Sequence, residues 1–379
     1  MTEYKTLFTS PIPPFIQKNH IFFDIETTGL HAKASIVYLI GFLLFENNHW
    51  YQIQLLNEDG ESEAKMIQHF FTYITKQTIC IHYNGTTFDI PYLKIRCEQL
   101  GISTTPLEQL QQYDYYSVIR PLKTTLQMKD CKQHTVEQYA GFIRTNQLSG
   151  KKLIEQYFLY LKLKKDSCLE SLLLHNADDL KGLTFISYFS IFSFVTTNIS
   201  CINEKPLEFL QENTIFELEL TLPIPFPTTL HIEKTFSLPS SFQEQGKASS
   251  FSLSLLSKEN TCFLRCTLIQ GTLKFFYPNY KEYYYLPAED MAIHKSVASF
   301  VEKEYRQKAT ASTCYTKKNG LFLPFFDNSE QIQDYIFYSA YKEKQGFLLF
   351  DSLTKETKHI WARQAIKALG LPPFPREIS

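Results

Sequence analysis

The chain has 379 residues, with 38 lysines and arginines against 39 aspartates and glutamates, for a formal net charge of −1. That length accommodates two domains, and hydrophobic and charged fractions of 44% and 20% exclude a disordered or low-complexity chain. The balanced charge excludes global steering toward nucleic acid, so such a partner would need a local basic groove.

The eight cysteines are scattered and none forms a Cys-x-x-Cys pair. They read as reduced core residues of a cytoplasmic protein rather than a disulfide framework or a zinc site. Met1–Lys5 lacks the basic-then-apolar pattern of a signal peptide. Residues 182–203 carry no charge and approach the length of a membrane span. Thr184, Ser187, Ser190 and Ser193 recur every three residues, however, which suits a buried helix better, and no membrane partner is expected.

In chain order, residues 1–18 contain Pro11, Pro13 and Pro14, show no periodicity, and read as a leader packed on the domain. Ile21–Leu30 reads as a strand stopped by Gly29. Its period of two puts Phe22, Asp24 and Glu26 on one face and Phe23 and Ile25 on the other. Two carboxylates so close repel, and a divalent cation between them relieves this; hard oxygens suit Mg²⁺ or Mn²⁺. Ser35–Phe45 and Trp50–Leu56 continue as strands, giving a β-meander with the acidic strand first. Glu61–Thr75 has helical spacing and Thr78–His82 reads as a buried strand.

Asn84-Gly85 then makes a turn, and Pro91 suits a first helical residue. Asp89 thus falls at a helix start, where the dipole favours a carboxylate. Asp114 ends another short strand, Gln133–Phe142 and Lys151–Leu163 read as helices, and Cys168–Phe194 as one long helix. His175 and Asp179, four apart, share a face of that helix, with Asp178 turned from it.

The order Asp-x-Glu on a first strand, Asn-Gly-x-x-Phe-Asp at a strand-to-helix junction and His-Asn-x-x-Asp on a late helix resembles the DEDD 3′–5′ exonucleases of the ribonuclease H-like superfamily. Among them the likeness is greatest to the YprB-type proteins of Firmicutes, and it covers roughly residues 18–195. It implies an α/β fold, a ribonuclease H-like mixed sheet flanked by helices, and a 3′–5′ exonuclease acting on DNA or RNA. Asp24, Glu26, Asp89 and Asp179 would hold two Mg²⁺ or Mn²⁺ ions, with Asp178 a rival for the last position. His175, where the family has Tyr or His, would orient or deprotonate the attacking water, and activity should fall as it protonates near neutral pH. Thr27 and Thr28 would lie by the terminal nucleotide, Leu30 and Phe88 would pack on a base, and Asn84 joins them as a substrate contact. A non-catalytic binding module on the same fold and a structure-specific endonuclease are the alternatives.

The second half, residues 204–379 after a first domain of 1–203, reads as a smaller α+β domain. Strands are expected at Thr214–Leu222, His231–Leu238, Ser249–Leu256, Thr261–Ile269 and Thr272–Tyr277, and helices at Glu289–Arg306 and Thr354–Leu369. Phe275–Tyr285 is rich in tyrosine and precedes several lysines, a combination that could stack bases and hold phosphates or dock a protein partner.

Overall fold

The computed structural model describes residues 1–375 except 147, 211–212, 241–248, 329–331 and 333–334. The chain divides into two compact units, one of residues 1–194, 223–229 and 370–379, the other of 195–222 and 230–369.

The first unit is built on a six-stranded mixed sheet in the order β1 (Thr2–Leu7), β4 (His49–Leu56), β3 (Val37–Glu46), β2 (His20–Thr27), β5 (Ile79–His82), β6 (Gln111–Asp114). The acidic strand β2 is central, antiparallel to β3 and parallel to β5. Its alternation sorts the layers. Ile21, Phe23 and Ile25 pack with Phe42 and Ile53 against α1 (Glu63–Phe71) and α2 (Asp89–Leu100) through Met66, Phe70 and Leu93. The opposite face carries Tyr38, Leu39 and Leu56, which pack on Leu153 and Tyr157 and on Cys168 and Leu172, buried residues of the long helices introduced below. Asp24 and Glu26 lie on this second face.

After α2 the chain forms the short helices α3 (Thr105–Glu108), α4 (Tyr115–Ile119), α5 (Leu122–Thr125) and α6 (Gln133–Tyr139), followed by the longer α7 (Gly150–Leu163) and α8 (Asp166–Ser187). The long helix expected over Cys168–Phe194 starts two residues earlier and tightens at Tyr188–Ser190 before a last turn at Ile191–Val195. The uncharged run is core, as its spacing implied: Leu183, Thr184, Ile186 and Ser187 are buried, and the Thr184 and Ser187 hydroxyls donate to carbonyls three residues back at 2.7 and 2.6 Å. Among the described residues no helix is long and apolar enough to cross a membrane.

Residues 2–7, expected within an irregular leader, form an edge strand in full register with β4, Thr2 opposite Leu56 and Leu7 opposite Tyr51. The prolines that suggested irregularity all follow it.

The second unit is β-rich. Its main sheet holds β7 (Ile202–Glu204), β8 (Glu208–Phe209), β9 (Thr214–Thr221), β10 (Leu230–Ser237), β11 (Ser250–Lys258), β12 (Thr261–Phe276), β16 (Tyr315–Phe325), β17 (Ile336–Phe337) and β18 (Gly346–Leu349). The two strands expected at 261–269 and 272–277 are one, since Gly271 lies opposite Gly320 without breaking the ladder. A smaller sheet pairs β13 (Tyr283–Leu286) with β14 (Met291–His294) and β15 (Gln307–Lys308). The helix expected over Glu289–Arg306 is therefore corrected to a hairpin arm and two short turns. Asp290, at φ +50°, takes the Tyr285 hydroxyl at 2.6 Å and Lys317 at 3.0 Å, which fixes the turn. The last helix, Lys355–Ala368, falls within its expected span. All eight cysteines are free.

The division differs from the 203/204 boundary read from the sequence. Ile202–Glu204 already pairs with β9 of the second unit. Phe226, from the proline-rich stretch, returns to the first, where its ring meets Phe189 at 5.3 Å and Phe192 at 5.4 Å.

Candidate active site

The end of β2 faces α8, and close approach is possible because β3 has glycine at position 41, opposite Asp24. A Cβ there would lie 1.9 Å from Asn176 Oδ1. Asn176 instead fills that space, takes an N–H from Gln54 at 3.0 Å, and donates from Nδ2 to Asp24 Oδ2 at 2.9 Å. The ladder shifts register between Glu26 and Thr27, an irregularity of the kind that re-aims side chains beside functional sites.

Glu26 accepts from the Tyr38 hydroxyl at 3.4 Å. His175 Nε2 lies 3.7 Å from Glu26 Oε1 and 3.3 Å from Asp179 Oδ2. Glu26, His175 and Asp179 each offer a ligand atom, all within 4.8 Å of one another. Asp89 is buried at the start of α2, and its Oδ1 accepts the Ile25 N–H at 3.2 Å. The four carboxylates expected together are thus gathered at one end of β2. Asp178 is turned elsewhere: its Oδ2 accepts the backbone N–H groups of Thr145 and Asn146, each at 2.7 Å.

Burial and mutual repulsion set the electrostatics. Asp24 is held well above the usual carboxylate range by burial and by Asp179, Glu26 and Asp89. Glu26 is raised well above its usual range by burial and Asp179, and Asp89 is pushed up to about 7 by burial. Asp179 is raised by burial but relieved by Arg144. Four acids that resist ionisation together, with hard oxygens and an imidazole nitrogen among them, are a donor set that fits divalent cations. His175 departs from the expected titration near neutral pH: burial, then Arg144, lower it to about 4, so it is neutral at pH 7. Among the described residues its buried Nδ1 has no partner.

Of the expected substrate contacts, Leu30 and Phe88 share one cavity, while Thr27, Thr28 and Asn84 make local hydrogen bonds. The Thr27 hydroxyl donates to the Gly29 carbonyl at 2.9 Å, and Thr28 exchanges bonds with Ile36. Leu30 is 80% exposed. It lines a cavity of about 490 Å³ with Phe88, Pro91 and Tyr92. Asn84 adopts φ +63°, its N–H donating to Asp114 at 2.7 Å, while its side chain accepts from Thr87 at 2.8 Å. The backbone N–H and side-chain oxygen of Asn84 are thereby engaged in the turn itself.

Residues 21–188 match the sequence profile of the RNase_H superfamily. This stretch is an RNase H superfamily domain. No curated protein matches the chain. Solved structures similar to it include the family B DNA polymerase of the hyperthermophilic archaeon Pyrobaculum calidifontis, at TM-score 0.38 and 12% identity over 96% of this chain and 46% of that one. An ExoI/SSB-Ct complex gives TM-score 0.29 and 10% identity, over 56% of this chain and 54% of that one. The zinc-bound Escherichia coli exonuclease I–ssDNA complex gives 0.28 and 10%, over 60% and 59%. The chain spans about half the length of the first two.

The RNase H-like domain also brings to the site residues that the motifs did not single out. Arg144 donates to Asp179 Oδ1 at 2.6 Å and forks onto Glu137 at 2.6 and 2.8 Å. Gln133 reaches both Glu137 and the Asp179 carbonyl at 2.9 Å. Asn176 stood inside a recognised motif, yet nothing in its spacing disclosed a bond to Asp24. Arg144 lies in an irregular connection with no periodicity to read.

Proposed function

We propose that this chain is a metal-dependent nuclease, a 3′–5′ exonuclease of the DEDD type like the YprB-type proteins, acting on single-stranded or frayed DNA or RNA. The observation that carries the reading is the convergence of Glu26, His175 and Asp179 within 4.8 Å, beside Asp24 and Asp89. In this reading Asp24, Glu26, Asp89 and Asp179 hold two Mg²⁺ or Mn²⁺ ions. When bound, such ions stabilise the negative charge that builds on the phosphate and its departing oxygen. Neutral His175, with Nε2 toward Glu26 and Asp179, orients the attacking water and takes its proton. Asn176 and the Ile25 N–H keep Asp24 and Asp89 from swinging out of place. Thr27 and Thr28 present backbone to the terminal nucleotide, and exposed Leu30 with Phe88 packs on its base.

One observation favours a second reading, a non-catalytic binding module: Arg144 already supplies Asp179 with a cation. Digestion of 3′- and 5′-labelled single-stranded DNA and RNA with Mn²⁺ separates the two. The nuclease reading expects 3′ mononucleotides from the wild type and none from Asp24→Ala. Defined fragments would mean an endonuclease; binding without cleavage would mean the module.

A further inference from the structure

The connection between α6 and α7 walls a cavity of about 610 Å³ whose lining includes His175. Lys132, His134, Phe142, Ile143, Arg144 and Asn146 are among the residues that line it. Among its described lining residues Glu137 is the only carboxylate, and it is fully buried and forked onto Arg144. Lys132 and Arg144 supply the cations of the lining, and Lys181 Nζ lies 5.6 Å from the ring centre of Phe142, one of the lining residues. A cationic cavity thus adjoins the acid cluster.

Arg144 is held there by a dedicated arrangement. Glu137 fits only because position 182 is glycine, since a Cβ there would lie 2.0 Å from Glu137 Oε1. Buried ion pairs contribute little net stability, so stability alone does not account for the pair. The guanidinium uses Nε and Nη2 on Glu137 and Asp179, and Nη1 has no partner among the described residues. Arg144 is shared between Glu137 and Asp179, so Glu137 takes up part of its charge and Asp179 is only partly neutralised. A planar, pre-set guanidinium with a spare N–H edge matches a phosphate oxygen. Ile143, 81% exposed beside Phe142, offers apolar surface to a base.

We infer that this cavity seats the phosphodiester backbone of the substrate strand beside the acid cluster, with Arg144 as a phosphate-binding residue fixed by Glu137. This rests on the nuclease reading.

The test is fluorescence anisotropy of a labelled single-stranded oligonucleotide on the full chain, with Ca²⁺, over a series of salt concentrations. Every protein carries Asp24→Asn to prevent cleavage. The neutral pair Glu137→Gln with Arg144→Gln keeps shape while removing both charges, and melting curves report its folding. It should weaken binding about tenfold, the worth of one charge-assisted hydrogen bond, and lower the salt slope by about 0.7. Arg144→Lys should recover part of the affinity. Lys132→Gln, on the exposed rim, should lower the slope whether or not the double variant folds. Unchanged affinity and slope in these variants, with the parent still binding, overturns the cavity assignment alone. A parent that binds no oligonucleotide of either sugar overturns the nuclease reading with it.

Discussion

Asn176 occupies the space that a side chain at Gly41 would need, and from there its amide reaches Asp24. Two strands and a helix meet at this point with no slack, because Asn176 is also held by Gln54 and is fully buried. Gly41→Ala should therefore cost about 1–3 kcal/mol, the usual penalty of overpacking. Its cleavage rate should fall further than its stability explains, because Asp24 loses its tether. Urea unfolding alongside single-turnover cleavage checks this; a destabilised variant with wild-type cleavage at low temperature would contradict it.

The raised acids make the metal-free protein sensitive to alkali. A carboxylate raised in the fold stabilises it while protonated, so the contribution of Asp89 is complete below about pH 4. It is lost as the pH climbs through about 7, the value to which burial pushes this group. Asp24, Glu26 and Asp179 shift the same way. His175, lowered to about 4, acts oppositely, its contribution being lost as the pH falls through that value. The acids outnumber it. In chelator, Asp89→Asn should raise the melting temperature most at pH 8 and little at pH 4. A gain independent of pH would sink the argument.

Mn²⁺ should reverse that trend, because its ligands must be deprotonated. At a hundred times its dissociation constant it should stabilise the wild type by about 2.7 kcal/mol, and at a fixed concentration by more at pH 8 than at pH 5. Asp179→Asn should lose most of this effect. Asp178→Ala should keep it while lowering stability by about 1–3 kcal/mol, since the Thr145 and Asn146 N–H groups lose their acceptor. Calorimetric titration with Mn²⁺ distinguishes the two acids; equal loss in both variants would refute the distinction.

His175→Ala should reduce kcat by 10²–10⁴-fold, the range expected for a proton-transfer group. Most of the stabilisation by Mn²⁺ should remain, because the four carboxylates remain. For the wild type, the loss of activity assignable to protonation of His175 should come near pH 4 rather than near pH 6.5. The pH–rate profile of the wild type and the kcat of the variant are the measurements.

What was legible in the sequence were elements with a strong period or a punctuating residue. The alternation of Phe22, Asp24 and Glu26 against Phe23 and Ile25 sorted both faces of β2, and the Asn-Gly turn placed Asp89 at the start of a helix. The i, i+4 spacing aligned His175 with Asp179. What was not legible depends on contacts distant in sequence. The edge strand Thr2–Leu7 is defined by its partner β4, not by its own pattern. The hairpin in place of the helix at Glu289–Arg306 is decided by Asp290 meeting Tyr285 and Lys317. Arg144 enters the site only because glycine at 182 admits Glu137, a relation between positions 45 residues apart.

The return of residues 223–229 and of residues from Gly370 on to the first unit has a consequence for biosynthesis. During translation the aromatic surface of Phe189 and Phe192 waits for Phe226, and Ser190 and Ser193 wait for the carbonyls of Pro373 and Pro372. The first unit is therefore completed only after the segment of the second unit that precedes residue 370 has been made. A ribosome stalled before position 370 would present an RNase H-like unit with its acids assembled and its seam still open, a substrate for chaperones and proteases.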